Sequence, residues 1–482
     1  MYDLIVIGGG PAGVTAALRG RELGATVALI ERGRMGGTCT NAGCVPTRVL
    51  AKAARLMRDA EQFADYGLSS ERPTVDFVRL LERTHQIIDT IHAKKQLEEH
   101  LRYAGVTLLR SEARFTGPHT VTLSDGTTAE GTAFVIAAGG RARRLPFEGG
   151  EHALTHSDVW TLQQQPRSLA IVGAAATGCQ LASVFAAFGT EVTLLEMAPR
   201  LLPGEDEAIS EALGNRLRRH GIRTLTGIGG VERLEKTAEG VRLHYSHEGE
   251  EHALDAEAVV LAVGWPGNVE SLNLDAADVR TERSYVLVND ALQTSAPHVF
   301  AAGDITGRMM LVQSATYEAR VAAENALGGT GMDAQHQIVP HGGFTDPEYG
   351  GVGLTEKQAR AEHDVSVAVV PYADPDRAVI DGHTEGFCKL VVSRATREIL
   401  GAHVIGEQAV EVVQMVAAGM VAGTRVEQLA QLELAYPTYT AIVGLAARQI
   451  VRELGVVPLA PAWRALVHPR ASEWERSRSS GS

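Results

Sequence analysis

The stretch Leu4-Ile-Val-Ile-Gly8-Gly-Gly10-Pro-Ala-Gly13 decides the fold of this chain. An apolar, β-branched run enters a cluster of glycines, and Pro11 then stands where a helix would begin. The glycines fit G-x-G-x-x-G, a weak signal alone. Here a strand precedes the pattern, a helix follows it, and Glu31 ends the next apolar run, which together mark a dinucleotide-binding turn. Gly8 permits the tight turn, Gly10 lets backbone approach a pyrophosphate, and Gly13 allows the helix to pack closely. The first N–H groups of the helix face the anion, and Glu31 is placed to bond a ribose hydroxyl.

The same unit occurs again. Leu169 to Glu196 reads strand, glycine turn, helix, strand, acid, with Gly173-Ala-Ala-Ala-Thr-Gly178 as the turn. The first turn glycine precedes the acid by the same distance in both copies: 31 − 8 = 23 and 196 − 173 = 23. Ala175 replaces the middle glycine and holds the backbone slightly further from a pyrophosphate. Glu196 would repel a 2′-phosphate, so this copy favours NADH over NADPH, with Arg200 near enough to weaken the preference.

Working outward, Val45–Tyr66 and Val75–Tyr103 carry apolar residues at helical spacing. Ala133-Phe-Val-Ile-Ala-Ala138, Ala258-Val-Val-Leu-Ala-Val263 and Val299-Phe-Ala-Ala302 read as buried strands, each followed by glycine (Gly139, Gly264, Gly303). A helix is expected from Met310 to Leu327 and a linker at Gly328–Gly331. Beyond it Val365–Val370, Phe387–Val392 and Leu400–Ile405 alternate like antiparallel strands, and helices follow at about 408–423 and 438–453.

The chain has 482 residues, 45% hydrophobic and 21% charged, which suits about three globular domains and excludes disorder, collagen and coiled coil. Its net charge of −13 and scattered basic residues argue against nucleic acid as a partner. No apolar run reaches the roughly 18 residues of a membrane span. The first strand begins almost at Met1, leaving no room for a signal peptide. Four cysteines are too few for a secreted disulfide framework, so a cytoplasmic protein is expected.

Two of those cysteines stand out. In Gly36-Gly-Thr-Cys39-Thr-Asn-Ala-Gly-Cys44-Val-Pro46 a glycine loop enters a helix, with Cys44 at the N-terminal end where the helix dipole favours a thiolate. A zinc site would need two more Cys or His ligands, and none lies between residues 1 and 80. Cys179 and Cys388 read as core residues.

This segment resembles the redox-active segment of the pyridine nucleotide–disulfide oxidoreductases, which include dihydrolipoamide dehydrogenase, glutathione reductase and mercuric reductase. Ala301-Ala-Gly303-Asp304 resembles the family's second FAD motif. Phe344-Thr-Asp-Pro-Glu348 with Val352-Gly-Leu-Thr-Glu356 resembles the opening of its dimerisation domain. The resemblance covers about residues 3–455. It implies an α/β fold of two Rossmann-like dinucleotide-binding domains plus a C-terminal α+β dimerisation domain. The FAD domain would span 1–150, completed by about 269–335. The NAD(P) domain would span 151–268, the interface domain 336–460, and a tail 461–482.

The resemblance further implies a homodimer in which electrons pass from NADH through FAD to a Cys39–Cys44 disulfide and on to an acceptor. Gly8, Gly10, Gly13, Glu31, Gly37, Thr38, Gly139, Gly303 and Asp304 would serve FAD. Gly173, Gly178, Glu196 and Gly264 would serve the nicotinamide nucleotide. Cys44 would face the flavin, and Cys39 would be the open thiol that meets the acceptor. No resident metal site is expected.

The chain departs from the family in several places. Family disulfide reductases carry His-Pro near the C-terminus, with Glu five residues after the His, and the His acts on the partner subunit. Here Tyr436 precedes Pro437 and Ala441 stands at the Glu position. Tyrosine titrates near 10 against about 6.5 for histidine, so it is a poorer proton shuttle, and Tyr436 and Tyr439 become the candidates for that role. His468-Pro with Glu473 repeats the spacing inside the tail, too late in the chain. Arg48, Gln180 and Trp265 replace the family's Lys, Glu and Arg. Loss of the carboxylate at 180 implies a more positive field at the flavin.

Acceptors that need little proton relay fit best: a metal ion, a quinone or a specialised disulfide. A mercuric-reductase-like enzyme is the first alternative, although no cysteine follows Cys388 to receive Hg(II). A slow-turnover flavoprotein redox sensor is the second.

Overall fold

The computed structural model describes residues 1–69 and 71–456. In its first sheet Tyr2–Ile7 lies at the centre. Val27–Ile30 and Thr107–Leu109 flank it on one side, Thr128–Ile136 and Val299–Ala301 on the other, all parallel, and Thr120–Leu123 and Ala113–Gly117 extend the sheet antiparallel from Thr128–Ile136. Both faces of the central strand are covered: Leu4 and Val6 pack into one cluster, Ile5 and Ile7 into another. That is why the sequence reads as a continuous apolar run rather than an alternation.

The second sheet repeats the plan. Its order is Arg223–Thr226, Glu191–Glu196, Ser168–Val172, Ala258–Leu261, Leu154–Thr155, again all parallel. In each sheet the strand before the glycine turn is central and the strand ending in the acid lies beside it. The helices after the turns, Pro11–Glu22 and Ala176–Ala187, approach equally closely. A Cβ on Gly13 would lie 1.7 Å from the Gly8 carbonyl oxygen, and one on Gly178 would lie 1.8 Å from that of Gly173.

The third sheet is antiparallel, ordered His341–Gly343, Tyr349–Gly353, Ile399–Ile405, Phe387–Ser393, Val365–Pro371. Helices Ala409–Val421 and Ala441–Glu453 cover it through Val412, Val416, Ile442 and Ile450, which meet Leu390 and Val404. Its first two strands were not legible in sequence, because Gly342, Gly343, Gly350 and Gly351 carry little strand propensity. A short helix at Val426–Gln431 is likewise additional.

Two expected helices are divided. Asp76 caps Phe77–Lys95 by accepting from Arg79 N, and Gln96, in the left-handed region at φ 43°, separates it from Leu97–Tyr103. The helix from Cys44 ends at Asp59 and continues to Tyr66 as a 3₁₀ turn. The expected tail, with His468 and Glu473, lies outside the described residues. Among those described, no helix is long and apolar enough to cross a membrane.

Ion pairs lock the three sheets together. Buried Lys389 bonds Asp206 at 2.7 Å and Glu356 at 2.9 Å. Arg58, on the cysteine-bearing helix, donates to Ser183 O at 2.7 Å and pairs with Asp346 at 3.0 Å.

The glycine contacts give a stability prediction. Gly178→Ala should cost about 1–3 kcal/mol through overpacking against the turn. Gly204→Ala, whose added methyl would meet nothing within 4 Å, should leave the unfolding midpoint in calorimetry unchanged.

Candidate active site

The cysteine loop is held by contacts from several directions. Gly36 and Gly37 adopt φ of 95° and 60°. A Cβ on Gly37 would fall 2.8 Å from the Gly10 Cα, so the short helix Gly37–Asn41 lies directly on the first glycine turn. Gly36 N donates to Gly9 O at 2.8 Å, and Ala42 N donates to Thr38 O at the same distance. Asn41 Nδ2 donates to the carbonyls of Arg34 and Met35, and its Oδ1 is bonded to His92 Nε2. Trp160 reaches in from before the second unit and donates to Ala42 O at 2.9 Å.

Cys39 sits within the short helix, and Cys44 is the first residue of Cys44–Asp59. That helix has no side-chain cap and no acidic residue in its first turn. The hydrogen bond from Cys39, helped by a backbone N–H, outweighs burial and lowers the Cys44 thiol to about 7. The same bond, together with burial, pushes Cys39 far up. Ionisation of the pair therefore falls on Cys44, with the proton retained on Cys39. The Asp304 carboxylate opposes ionisation of both.

In the protomer Cys44 is exposed and Cys39 half-buried. The helix carrying Cys39 packs against both Cys44–Asp59 and Phe77–Lys95, whereas Cys44 stands at an open helix start.

The two acids are clasped identically. Glu31 accepts from Gly9 N at 2.5 Å and Gly33 N at 2.6 Å. Glu196 accepts from Ala174 N at 2.6 Å and Ala198 N at 2.8 Å. Each carboxylate is thus fixed at the edge of its glycine turn with lone pairs to spare. Neither turn helix has a side-chain cap or an acid in its first turn. Phe77–Lys95 and Glu207–Arg219, by contrast, are capped by Asp76 and Asp206. The uncapped N–H groups, the fixed acids and the glycine approaches fit two dinucleotides.

Gly303 N donates to Glu318 at 2.7 Å, and His336 Nε2 bonds the other oxygen of that fully buried carboxylate, also at 2.7 Å. Burial raises the Asp304 carboxyl, opposed by a hydrogen bond from Trp265 Nε1 at 3.0 Å. Trp265 belongs to the crossing segment that contains Gly264. Arg143 N donates to Gly264 O, while Asn268 N donates to Gly139 O and Asn268 Nδ2 to Ala138 O. Gly8, Gly10, Gly13, Glu31, Gly37, Thr38, both cysteines, Gly139, Gly264, Gly303 and Asp304 are therefore brought into one region. Gly173, Gly178 and Glu196 line the second turn.

Arg48 and Gln180 meet at Phe344. The Arg48 guanidinium lies 4.4 Å from the Phe344 ring centroid, and Gln180 Oε1 accepts from Phe344 N at 3.1 Å. Arg48 is ion-paired with Glu348. Glu348 belongs to the Phe344–Glu348 motif that the chain shares with the family, so its pairing with Arg48 leaves the carboxylate at 180 unreplaced. Trp265 stands apart from them, beside Asp304.

The two tyrosines part company. Tyr439 is 5% exposed, stacks on Tyr372 and donates to Asp381 at 2.8 Å, so it serves its own protomer. Tyr436 is 76% exposed and donates to Asp376. Cys179 and Cys388 are buried, as is His403, whose Nε2 bonds Leu354 O. Among the described residues no three His, Cys, Asp or Glu side chains converge as a metal site would require. Sequence reasoning missed Trp160, Glu318, His336 and Asp376, each of which acts across a long chain separation with no local spacing to betray it.

With this geometry in place, the chain belongs to the pyridine nucleotide-disulphide oxidoreductases: residues 2–319 match that family, and residues 339–447 match its dimerisation domain. It is an enzyme family that uses FAD and NAD(P)H. The chain is 33% identical over 450 residues to mercuric reductase of Staphylococcus aureus, covering 92% of this chain and 82% of the relative. It is 30% identical over 463 residues to dihydrolipoyl dehydrogenase of Bacillus subtilis (strain 168), covering 92% and 97%. Among solved structures it is similar to the HOCl-induced flavoprotein disulfide reductase RclA from Escherichia coli. The TM-score is 0.83 at 27% identity, covering 92% of this chain and 99% of that one.

The shared proton sets a pH dependence. Because the Cys44 thiol is depressed from 9.0 to about 7, its thiolate is present above that pH and lost below it. Iodoacetamide should modify Cys44 first in the reduced protein, with a rate that rises through a midpoint near 7, as read by peptide mapping across pH. A midpoint at 9 or above, or earlier modification of Cys39, would contradict the assignment.

Proposed function

We propose that the chain is an NADH-dependent flavoprotein reductase, active as a homodimer, that works through a Cys39–Cys44 redox disulfide and passes two electrons to an acceptor meeting Cys39. The observation that carries this reading is the Cys39–Cys44 pair, with Cys44 at an uncapped helix start and the loop packed on the first glycine turn beside Asp304. FAD, when bound, accepts hydride from the nicotinamide and delivers the electron pair to the disulfide. The Gly8–Gly13 turn and Glu31 would hold its adenosine and pyrophosphate, and Asp304 would bond its ribityl chain. Trp265 would keep Asp304 oriented, and Cys44 would be the thiol nearest the ring. Gly173–Gly178 and Glu196 would hold the nicotinamide nucleotide.

Preference for NADH is supported by Glu196 and by the engagement of Arg200. Its guanidinium donates to the carbonyls of Leu202, Pro203 and Glu205 and to the Ser210 hydroxyl, so it is turned away from service to a 2′-phosphate. The kcat/KM for NADH should exceed that for NADPH by at least about tenfold, or 1.4 kcal/mol.

Anaerobic titration tests the whole reading. NADH should reduce the bound flavin within seconds, and the two-electron-reduced protein should show the long-wavelength absorbance of a thiolate against oxidised flavin. Cys44→Ser should abolish that band and Cys39→Ser should retain it. Absence of flavin reduction by NADH would sink the proposal. Gln180→Glu, which adds a second carboxylate beside Arg48, should lower the flavin midpoint potential by on the order of 30 mV.

A further inference from the structure

The two nucleotide-binding units agree in one more detail, and there their symmetry breaks. In the first, Thr128–Ile136 lies beside the strand that enters the turn, and a Cβ on Gly8 would fall 2.3 Å from the Ala137 carbonyl oxygen. In the second, Ala258–Leu261 takes that place, and a Cβ on Gly173 would fall 2.4 Å from the Ala262 carbonyl oxygen. Gly139 and Gly264 stand at the same remove from these strand ends, 139 − 136 = 264 − 261 = 3, so they hold equivalent positions at the mouths of the two turns. A Cβ on Gly139 would meet nothing within 4 Å, whereas one on Gly264 would lie 3.2 Å from Arg143 Nε. The backbone of that arginine is fixed: Arg141 N donates to Pro266 O at 2.9 Å and Arg143 N to Gly264 O at 3.1 Å. Its neighbours are engaged. Arg141 bonds Glu270 and Gly267 O, and Arg144 bonds Asp158 and Ala153 O. Among the described residues Arg143 makes no side-chain hydrogen bond or ion pair, and it is exposed.

We propose that Arg143 binds the nicotinamide-side phosphate of the dinucleotide at the second turn, supplying the contact that Ala175 withholds; this rests on the assignment of that turn to the nicotinamide nucleotide made above. Topology decides which phosphate. Glu196, which would take the adenosine ribose, ends the strand on one side of Ser168–Val172, and Gly264 follows the strand on the other side. A dinucleotide with its adenosine ribose at Glu196 therefore runs across the turn toward Gly264 and meets Arg143 with its far half. A phosphate on the adenosine 2′-oxygen would lie on the opposite side, so Arg143 does not read it and leaves the preference for NADH to Glu196. The need for a cation follows from the turn itself. Gly10 lets backbone approach a pyrophosphate in the first unit, and there the equivalent glycine, Gly139, is bare. Ala175 holds the backbone back by a methyl in the second, and there an arginine with no other partner lies on Gly264. A guanidinium meets a phosphate with charge-assisted, fork-shaped hydrogen bonds, which offset a weaker backbone cradle.

The test measures binding to the FAD-loaded protein by titration calorimetry, with NAD⁺, ADP-ribose and 5′-AMP, the last carrying only the adenosine-side phosphate. Arg143→Gln should weaken NAD⁺ and ADP-ribose about tenfold, the worth of one charge-assisted bond, and 5′-AMP by less than about twofold. Arg143→Lys, which keeps the charge without the fork, should fall between the wild type and Arg143→Gln. In Arg143→Gln the KM for NADH and for NADPH should rise by the same factor, with the unfolding midpoint unchanged. In an Ala175→Gly background the loss caused by Arg143→Gln should shrink to about threefold or less, because the two positions serve one phosphate. An unaltered affinity for ADP-ribose, an equal loss for 5′-AMP, a loss confined to NADPH or an undiminished loss beside Ala175→Gly overturns the proposal. Should the wild type bind ADP-ribose while NADH leaves the flavin oxidised, the reductase reading falls and this site stands. Should NADH reduce the flavin while Arg143→Gln binds NAD⁺ as the wild type does, the site falls and the reductase reading stands.

Discussion

The approach of Gly37 to Gly10, closer than any side chain would permit, is the constraint on which the site depends. It places the cysteine loop on the glycine turn itself rather than somewhere near it. Gly9 is the common hinge: its carbonyl accepts from Gly36 N, and its N–H donates to Glu31 at the end of the neighbouring strand. Turn, strand end and cysteine loop are therefore registered at one point on a fully buried parallel sheet. A redox pair must hold its distance to a cofactor closely, and mounting it on the stiffest part of the fold achieves that without a dedicated support.

The charges follow from the same layout. The helix starts at Pro11, Ala176 and Cys44 carry neither a side-chain cap nor an acid in the first turn, whereas Phe77–Lys95 and Glu207–Arg219 are closed by Asp76 and Asp206. An acidic cap at Pro11, Ala176 or Cys44 would satisfy the backbone and repel the anion intended for it. Asp304 runs against this pattern, since it sits half-buried where it raises both thiols. Trp265 tempers the cost by donating to it, and the Cys39 hydrogen bond overrides it at Cys44. The thiolate thus falls on the sulfur at the helix start because hydrogen bonding there exceeds both burial and the nearby carboxylate.

Much of this was legible in the chain. The repeated strand–glycine–helix–strand–acid unit fixes two parallel sheets, since buried strands read as apolar runs and the acid spacing is set by the length of the βαβ unit. The cysteine loop was readable because its own signature, Gly36-Gly37, Cys39, Cys44 and Pro46, lies within one short segment. What was not legible depends on long separations. Glu318 bonding Gly303 and Trp160 bonding Ala42 have no periodic signature. The glycine strands around His341 and Tyr349 pair by close backbone approach, which side-chain propensity does not encode.

The departures from the family pattern differ in what surrounds them. Gln180 lacks a carboxylate, and Glu348, which pairs with Arg48, does not replace it, being part of the motif shared with the family. Ala441 lacks another, and Asp376 brings one to Tyr436 from a neighbouring helix. A motif is counted along the chain, but a proton or a cation responds to distance in space. Only at Tyr436 does an acid from a different element stand within hydrogen-bond reach of the residue at the altered position. Substitution at a motif position is then weak evidence that a charge has been lost. The stronger evidence is a polar group left with no partner, and neither Arg48 nor Tyr436 is in that condition.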